Sequence, residues 1–218
     1  MSIFENLQER IQDLFGSKKQ DAFDTLDPAT DIDYLMNSPL PVGYSSIQEQ
    51  QFIYQNLISG FNPSTDTLCD LGAGRGDLYK FIKDIYGIEF KYIGIDQNPV
   101  MVDLAKQKYE LDLINESYET IELPAASWLV TSGLFTTKRN EKFEDDLEYV
   151  YTTIDRMYNK ATKAISFNLL CPLAGLVSDG FLYIKPSDII DTLITKYRFV
   201  NIKHDYTDDI YTITIYKF

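Results

Sequence analysis

This sequence of 218 residues is poor in several residue types, and each shortage excludes a class of protein. Its two cysteines, Cys69 and Cys171, lie in apolar segments, where a free thiol behaves as a small buried hydrophobe, so a reducing cytoplasm fits and no disulfide framework is expected. Two cysteines and one histidine do not provide the ligands of a zinc site, and no spacing of carboxylates indicates a site for a catalytic metal. No apolar run approaches the roughly 20 residues that cross a bilayer, so we expect no membrane span.

Basic residues are also scarce. The chain has 20 lysines and arginines against 33 aspartates and glutamates, which gives a net charge of -13. This charge repels a phosphate backbone, so nucleic acid is a disfavoured substrate. The one dense basic cluster, Lys138, Arg139 and Lys142, is neutralised by nearby acidic residues, and we predict a solvated loop face there.

The N-terminal region differs from the rest of the chain. Apolar residues recur at helical spacing over 3–15, which predicts an amphipathic helix closed by Gly16. Residues 17–43 are polar and contain three prolines, which predicts a linker. We therefore divide the chain into an N-terminal helix and linker, 1–43, and one domain, 44–218. The helix either covers part of the core or docks a protein partner.

The domain alternates strand and helix patterns. Helices are expected from Ser45 or Ser46, where a capping box can form, after the glycine-rich turn at 72–76, from Pro99, and over 146–162 and 187–196. Seven strands are expected over 67–71, 91–95, roughly 118–123, 128–132, 164–169, 198–204 and 210–217. The pattern predicts an α/β fold with a seven-stranded, mostly parallel sheet, helices on both faces and an antiparallel C-terminal hairpin.

The loop after the first strand carries the clearest chemical signal. Ligands of open α/β sheets bind beyond the carboxyl ends of the strands, and here that position holds three glycines, Gly72, Gly74 and Gly76. A dinucleotide fingerprint needs a further glycine where Asp77 stands, and a carboxylate there repels a pyrophosphate. A phosphate-binding P-loop needs a Lys-Ser or Lys-Thr pair, which Arg75, Gly76 and Asp77 do not provide.

A ligand without phosphate fits this acidic loop better. An amino acid joined to adenosine through a sulfonium offers positive charges that Asp70 can attract. Asp96 follows the second strand, 20 residues after Gly76, and can accept hydrogen bonds from both ribose hydroxyls. The structural alternative is that the glycines serve only a tight turn and Asp96 only caps the next helix.

The segment Asp70-Leu71-Gly72-Ala73-Gly74-Arg75-Gly76, followed by Tyr92-Ile93-Gly94-Ile95-Asp96, closely resembles the first two motifs of class I S-adenosylmethionine-dependent methyltransferases. Weaker similarity to a bacterial and phage branch includes Thr131-Ser132-Gly133 and His204-Asp205-Tyr206. The resemblance implies a Rossmann-like fold, with S-adenosylmethionine as cofactor and S-adenosylhomocysteine as product. It also implies these cofactor-binding residues: Asp70, Gly72, Ala73, Gly74, Gly76, Asp96, Gln97 and Ser132.

The sequence also departs from this family. Gln51 stands where an arginine is expected, and Ser127 stands where many relatives carry an aspartate. An acidic residue after the third strand commonly contacts the adenine, and Glu119 and Glu122 are both candidates for that role. Catalytic competence is therefore supported less strongly than cofactor binding.

The acceptor is not identified by a motif. The fourth strand ends in Thr131-Ser132-Gly133 and lacks the Asn/Asp-Pro-Pro-aromatic signature of amine methylation on bases, and there is no Pro-Cys nucleophile, so DNA methylation is disfavoured. Candidate catalytic residues are His204, Tyr206 and Asn168, of which His204 could act as a base near neutral pH. We expect an enzyme acting on a small molecule or a protein side chain.

Two other functions stay open at this stage. The domain could be a catalytically weak scaffold or binding module, for example in a phage assembly, which would place it in the host cytoplasm or the virion. A nicotinamide-dependent oxidoreductase is disfavoured by Asp77 and by the lack of a recognisable catalytic pair.

Overall fold

The computed structural model describes residues 36–39, 43–172, 175 and 177–217. The predicted helix 3–15 and most of the predicted linker 17–43 lie outside these residues. The chain divides after Gln50 into two units, and the sheet and the loops at its carboxyl edge all belong to the second unit.

Strands and helices alternate along the described part of the domain, as the sequence predicts. The helices are α1 (Ile47–Leu57), α2 (Asp77–Tyr86), α3 (Pro99–Tyr109), α4 (Phe143–Lys160) and α5 (Pro186–Tyr197). The strands are β1 (Thr67–Leu71), β2 (Lys91–Ile95), β3 (Ala126–Thr131), β4 (Ala161–Leu170), β5 (Val200–Lys203) and β6 (Ile210–Tyr216).

Local signals explain where two of these helices begin. The hydroxyl of Ser46 accepts a hydrogen bond from the backbone N–H of Glu49 at 3.1 Å, and the Glu49 carboxylate accepts one from the backbone N–H of Ser45 at 2.6 Å. The first bond is that of the predicted capping box at the start of α1, whereas the returning bond from Glu49 reaches the N–H of Ser45 instead of that of Ser46. Helix α3 begins at Pro99, and the side chain of Asn98 caps it by accepting from the N–H of Val100 at 3.0 Å.

The six strands form one sheet in the order β2-β1-β3-β4-β6-β5. Strands β2, β1, β3 and β4 are parallel to one another, whereas β6 is antiparallel to both β4 and β5. The predicted mixed sheet with an antiparallel C-terminal hairpin is therefore confirmed. Because β1 to β4 run in one direction, their carboxyl ends meet at a single edge of the sheet.

The expected third strand over 118–123 is wrong. The described residues form six strands, and residues 118–120 form a turn in which the N–H of Thr120 donates to the carbonyl of Ser117 at 3.1 Å. A single parallel bridge between Ile114 and Ile95 stands at the outer edge of β2 instead. The apolar residues Tyr118, Ile121 and Leu123 give only a loose strand pattern, and the N–H groups of Thr120 and Ile121 are bonded to the carbonyl of Ser117 within the turn.

The core lies on the face of the sheet that α4 and α5 cover. Their buried apolar residues cluster with alternate residues of the strands, including Leu129 on β3, Ile165 and Phe167 on β4, and Ile213 on β6. Cys69 and Cys171 are free and buried in the same cluster, as the sequence predicts. Among the described residues, no helix combines the length and the apolar character that crossing a membrane requires.

Candidate functional site

The glycine-rich loop connects β1 to α2 and turns sharply at the carboxyl edge of the sheet. Gly72, Gly74 and Gly76 all have positive φ, at 71°, 55° and 80°. At Gly76 a side chain is also sterically excluded, because a Cβ there would lie 2.7 Å from the side chain of Leu111. The backbone conformation of the loop therefore requires glycine. Gly72 and Gly74 are partly exposed at the carboxyl edge, whereas Ala73 and Gly76 are buried.

Asp96 joins this loop to the end of β2. One oxygen of its carboxylate accepts a hydrogen bond from the N–H of Gly74 at 2.7 Å, and the other accepts from the N–H of Asn98 at 2.8 Å. The backbone carbonyl of Ile95 accepts from the N–H groups of Gly72 and Ala73. A carboxylate has about four lone-pair positions, so each Asp96 oxygen can still accept from a ligand hydroxyl. Gln97, beside it, is exposed.

Asp70 is the most perturbed acid of the site. Its side chain is buried at the end of β1 and accepts a hydrogen bond from the hydroxyl of Tyr92 at 2.7 Å. Burial raises the pKa of Asp70 to about 7, against the lowering effect of the Tyr92 hydrogen bond, and the negative charge of Asp96 raises it further. The protein thus holds a carboxyl that changes charge near neutral pH beneath the loop.

Asp77 is not the uncompensated charge that the sequence suggests. Its carboxylate lies 2.8 Å from the Nε of Arg75, whose side chain is buried, and accepts a hydrogen bond from the Tyr109 hydroxyl at 2.8 Å. Lys108 adds a third contact at 3.5 Å. The sequence analysis missed Arg75 and Tyr109 as structural partners of the loop. The available signal was an arginine placed between glycines in a tight turn.

The end of β3 forms the second wall of the site. Ser132 and Gly133 follow this strand, and the side-chain oxygen of Asn168 on β4 accepts from the N–H of Gly133 at 2.8 Å. The amide nitrogen of Asn168 donates to the Ser132 hydroxyl at 3.4 Å. Next along the chain, a methyl of Leu134 lies 3.4 Å from the Cβ position of Gly72. The structure therefore brings Ser132 and Asn168 next to the glycine loop.

His204 lies apart from this group. It follows β5, the edge strand, and four strand spacings of about 4.8 Å place β5 about 19 Å from β1. Its ring is exposed and its Nε2 lies 3.3 Å from the carbonyl oxygen of Asp208. Tyr206 is half-buried, and its hydroxyl is 2.6 Å from the hydroxyl of Thr212 on β6. Thr212 is the cross-strand partner of Asn168, so Asn168, Thr212 and Tyr206 form one polar row across β4 and β6.

The two acidic residues considered for an adenine contact have cationic partners. Glu119 pairs with the guanidinium of Arg139 at 2.6 Å, and Glu122 pairs with Lys160 at 2.7 Å. The chain that follows the Ile114 bridge places Asn115 beside β2 instead, where its side-chain amide donates to the backbone carbonyl of Asp96 at 3.0 Å. Sequence reasoning missed Asn115 because it placed the third strand too late.

Arg139, one of the three residues of the basic cluster, is held by contacts within the protein. Its guanidinium stacks on the Tyr149 ring at 4.1 Å, and its backbone N–H donates to the buried carboxylate of Asp146 at 3.1 Å. Asp146 accepts two more hydrogen bonds, from the backbone and the side chain of Asn140. These contacts anchor the loop between β3 and α4, so part of the basic cluster has a structural role.

Of the two departures from the family pattern, Ser127 lies at the amino edge of the sheet, away from the loop. The hydroxyl of Ser127 accepts from the N–H of Thr67 at 3.1 Å and so ties together the amino ends of β1 and β3. Gln51 is exposed on α1. In the part of the chain that the structure describes, no three His, Cys, Asp or Glu side chains are grouped to hold a metal ion.

Two open cavities lie elsewhere on the domain. One of about 330 Å³ is lined by residues at the starts of β1 and β2, among them Asp66 and Lys91, at the amino edge of the sheet. The other, of about 280 Å³, is lined by Glu122, Arg156 and Lys160 among others. The carboxyl edge, where the perturbed acid and the glycine loop meet, is the better candidate site.

No protein-family model matches this sequence, and no curated protein sequence matches it either. Solved structures do resemble it. Magnesium protoporphyrin IX methyltransferase from Synechocystis PCC 6803 with bound SAM (S-adenosylmethionine) is 13% identical, with a TM-score of 0.55 over 88% of this chain and 98% of that one. Human N-acetylserotonin methyltransferase in complex with SAM is 17% identical, with a TM-score of 0.61; the match covers 99% of this chain and only 65% of the human one.

A third similar structure is the plantazolicin methyltransferase BpumL in complex with a monoazolic desmethylPZN analog and SAH (S-adenosylhomocysteine). It is 12% identical, with a TM-score of 0.56 over 99% of this chain and 98% of that one. At such low identities the likeness shows the fold. The chain has the class I fold of SAM-dependent methyltransferases.

Proposed function

We propose that this protein is a methyltransferase that uses S-adenosylmethionine and releases S-adenosylhomocysteine. The observation that carries the proposal is the contact between Asp96 and Gly74, which joins a partly exposed glycine loop to a strand-end carboxylate. The loop offers close backbone contact and the carboxylate offers acceptors for two ribose hydroxyls. Three structural neighbours, which share this fold, were solved with SAM or SAH bound.

The residues proposed to hold the cofactor are those that the sequence analysis selected, with one addition. The loop backbone at Gly72, Ala73, Gly74 and Gly76 would face the amino-acid portion, and Asp70 would attract its positive charge. Asp96 would accept from the ribose, with Gln97 beside it, and Ser132 would form the opposite wall. We add Asn115, whose amide already contacts the backbone of Asp96 and whose position after the Ile114 bridge suits the adenine edge.

Methyl transfer is a displacement at the sulfonium carbon, and it depends mainly on the alignment of donor and acceptor. The cofactor supplies the activated methyl group when it is bound. The protein's part is to bind, to orient and to exclude water, and a general base is needed only for an acceptor that must lose a proton. Of the residues considered for catalysis, Asn168 and Tyr206 lie on the polar row beside the site, whereas His204 is exposed at the far edge strand.

The acceptor is proposed to be a small molecule or a protein side chain. The net charge of -13 disfavours a polyanion such as nucleic acid, and the neighbour BpumL was solved with a monoazolic desmethylPZN analog. We further propose a cytoplasmic location, or the host cytoplasm or virion if the chain is of phage origin. The N-terminal helix, 3–15, remains a proposed docking element for a protein partner.

Two finer features of the fold are part of the proposal. The Ile114 bridge would be the remnant of a seventh strand at the edge of β2. Helices would cover both faces of the sheet. Helices α4 and α5 pack on one face. Near the other face, Tyr79 of α2 contacts Tyr92, whose hydroxyl donates to Asp70.

Calorimetric titration of the full chain with S-adenosylmethionine, S-adenosylhomocysteine and NADH tests the proposal. Asp96→Ala should weaken cofactor binding by roughly 1–3 kcal/mol, about 5- to 150-fold, because charge-assisted hydrogen bonds are lost. Asp103→Ala is the matched control, since Asp103 is an exposed carboxylate on the next helix, and it should leave the affinity unchanged.

Three results would contradict the proposal in different ways. No binding at millimolar S-adenosylmethionine would remove the enzyme hypothesis and favour the scaffold alternative. Binding of NADH in its place would favour an oxidoreductase. Tight S-adenosylmethionine binding that is unaffected by Asp96→Ala would mean that the ribose lies elsewhere.

A further inference from the structure

Asn168 is a buried amide that spans two strands. Its side chain is 2% exposed, and both of its polar contacts reach beyond the end of the neighbouring strand β3. The oxygen accepts from the N–H of Gly133 and the nitrogen donates to the hydroxyl of Ser132. A planar amide offers a donor and an acceptor in fixed relation, so this one side chain sets both the backbone and the side-chain orientation of the turn.

That turn is in contact with the proposed cofactor loop. Strands β1 and β3 are neighbours, and Leu134, one residue after Gly133, lies 3.4 Å from the Cβ position of Gly72. A shift of the turn therefore displaces a side chain that packs on the loop. Asn168 itself offers no proton-transfer group near neutral pH, because a primary amide neither gains nor loses a proton there.

Asn168 lies at the end of a buried polar row on β4 and β6. Its cross-strand partner on β6 is Thr212, whose hydroxyl is bonded to Tyr206. One rung further from the edge, the hydroxyls of Ser166 and Thr214 are bonded at 3.1 Å. Residues directly opposite in an antiparallel pair, and residues two apart on a strand, share a face, so the two rungs form one row.

We propose that Asn168 is a positioning residue that holds the Ser132–Gly133–Leu134 turn against the glycine loop and so maintains the cofactor site. The inference rests on the proposed function. It assigns Asn168 a role that acts through the turn, without contact between its amide and the reacting atoms.

The test compares Asn168→Leu, Asn168→Asp and Thr214→Val in the full chain. Asn168→Leu keeps the branched shape of the side chain and removes both hydrogen bonds, whereas Asn168→Asp keeps an oxygen that can accept from Gly133. Thr214→Val removes the hydroxyl of the inner rung at similar burial and serves as the control. The measurements are the Kd for S-adenosylmethionine by calorimetry, the exchange rate of the Gly133 amide by NMR without ligand, and the Tm.

Asn168→Leu should raise the Kd at least about tenfold, equivalent to about 1.4 kcal/mol, and speed exchange of the Gly133 amide by a similar factor. Asn168→Asp should restore slow exchange and a Kd within about threefold of the wild type or lower. Thr214→Val should lower the Tm and leave both the Kd and the Gly133 exchange rate unchanged. Should Asn168→Leu not fold, Asn168→Ala removes the same two hydrogen bonds with a smaller side chain and should also weaken binding.

An Asn168→Leu protein that binds S-adenosylmethionine as tightly as the wild type would overturn this inference and leave the proposed function standing. Equal weakening by Thr214→Val would also overturn it, because the effect would then follow general stability. A wild-type chain that binds neither S-adenosylmethionine nor S-adenosylhomocysteine would overturn both proposals.

Discussion

Replacing Asp70 with asparagine should stabilise the fold more strongly as the pH rises. The carboxyl of Asp70 is buried, and burial raises its pKa from 3.8 to about 7. This rise is worth roughly 4 kcal/mol, since each tenfold change in a protonation equilibrium corresponds to about 1.36 kcal/mol. Between these two pKa values the folded chain holds a proton that the unfolded chain has released, so the free energy of unfolding falls as the pH increases.

The asparagine variant lacks this dependence, because an amide does not titrate, while its oxygen can still accept from Tyr92. Other carboxyls contribute equally to both proteins, so the difference in unfolding free energy isolates Asp70. The sequence pI is about 4.4, which makes low pH unsuitable for the measurement. From about pH 5.5 to 8.5 the advantage of Asp70→Asn should grow by roughly 2 kcal/mol, the part of the rise that falls between pH 5.5 and 7.

Urea unfolding followed by circular dichroism at several pH values measures this difference. Tyr92→Phe is the companion variant: it removes the hydroxyl that stabilises the ionised carboxylate, so it should cost more stability at high pH than at low pH. A difference between wild type and Asp70→Asn that stays constant within about 0.5 kcal/mol over this range would refute the account of Asp70 as a buried acid that ionises near neutral pH.

Three further predictions concern stability and the N-terminal region. Gly94→Ala should lower the free energy of unfolding by roughly 2–4 kcal/mol, because its Cβ would lie 2.4 Å from the side chain of Leu113. Gly87→Ala is the control: there is open space around its Cβ position and only the φ of 64° is unfavourable, so it should lower the free energy of unfolding by about 1 kcal/mol. Asp146→Ala should cost about 2–3 kcal/mol in urea unfolding, since three hydrogen bonds to its carboxylate are lost. Deleting residues 1–40 should leave the Tm and the cofactor Kd nearly intact if the N-terminal helix docks a partner, and a collapse of the fold would support the core-covering alternative.

Most helices and strands were predictable because their signals are local. Strands β1 and β2 match the predicted bounds, and the capping residues of α1 and α3 act as expected. Residues 110–125 were not predictable in this way. A strand of one bridge residue has no periodicity, and the residues chosen for the strand, 118–123, begin with a turn. Asn115 was missed for the same reason.

The spacing of glycines and acids along the chain was enough to indicate the glycine loop, Asp96 as its partner and the kind of ligand that fits, because those residues follow directly on strands whose pattern is local. The charge state of the site was decided by tertiary contacts. Asp77 is compensated by Arg75 and Tyr109, and Asp70 is buried against Tyr92 on the next strand. The position of Asn168 beside Ser132 likewise depends on pairing between strands 35 residues apart, as the bond to Gly133 shows. Burial and pairing between distant residues set pKa values and orientation, and neither leaves a pattern in a single sequence.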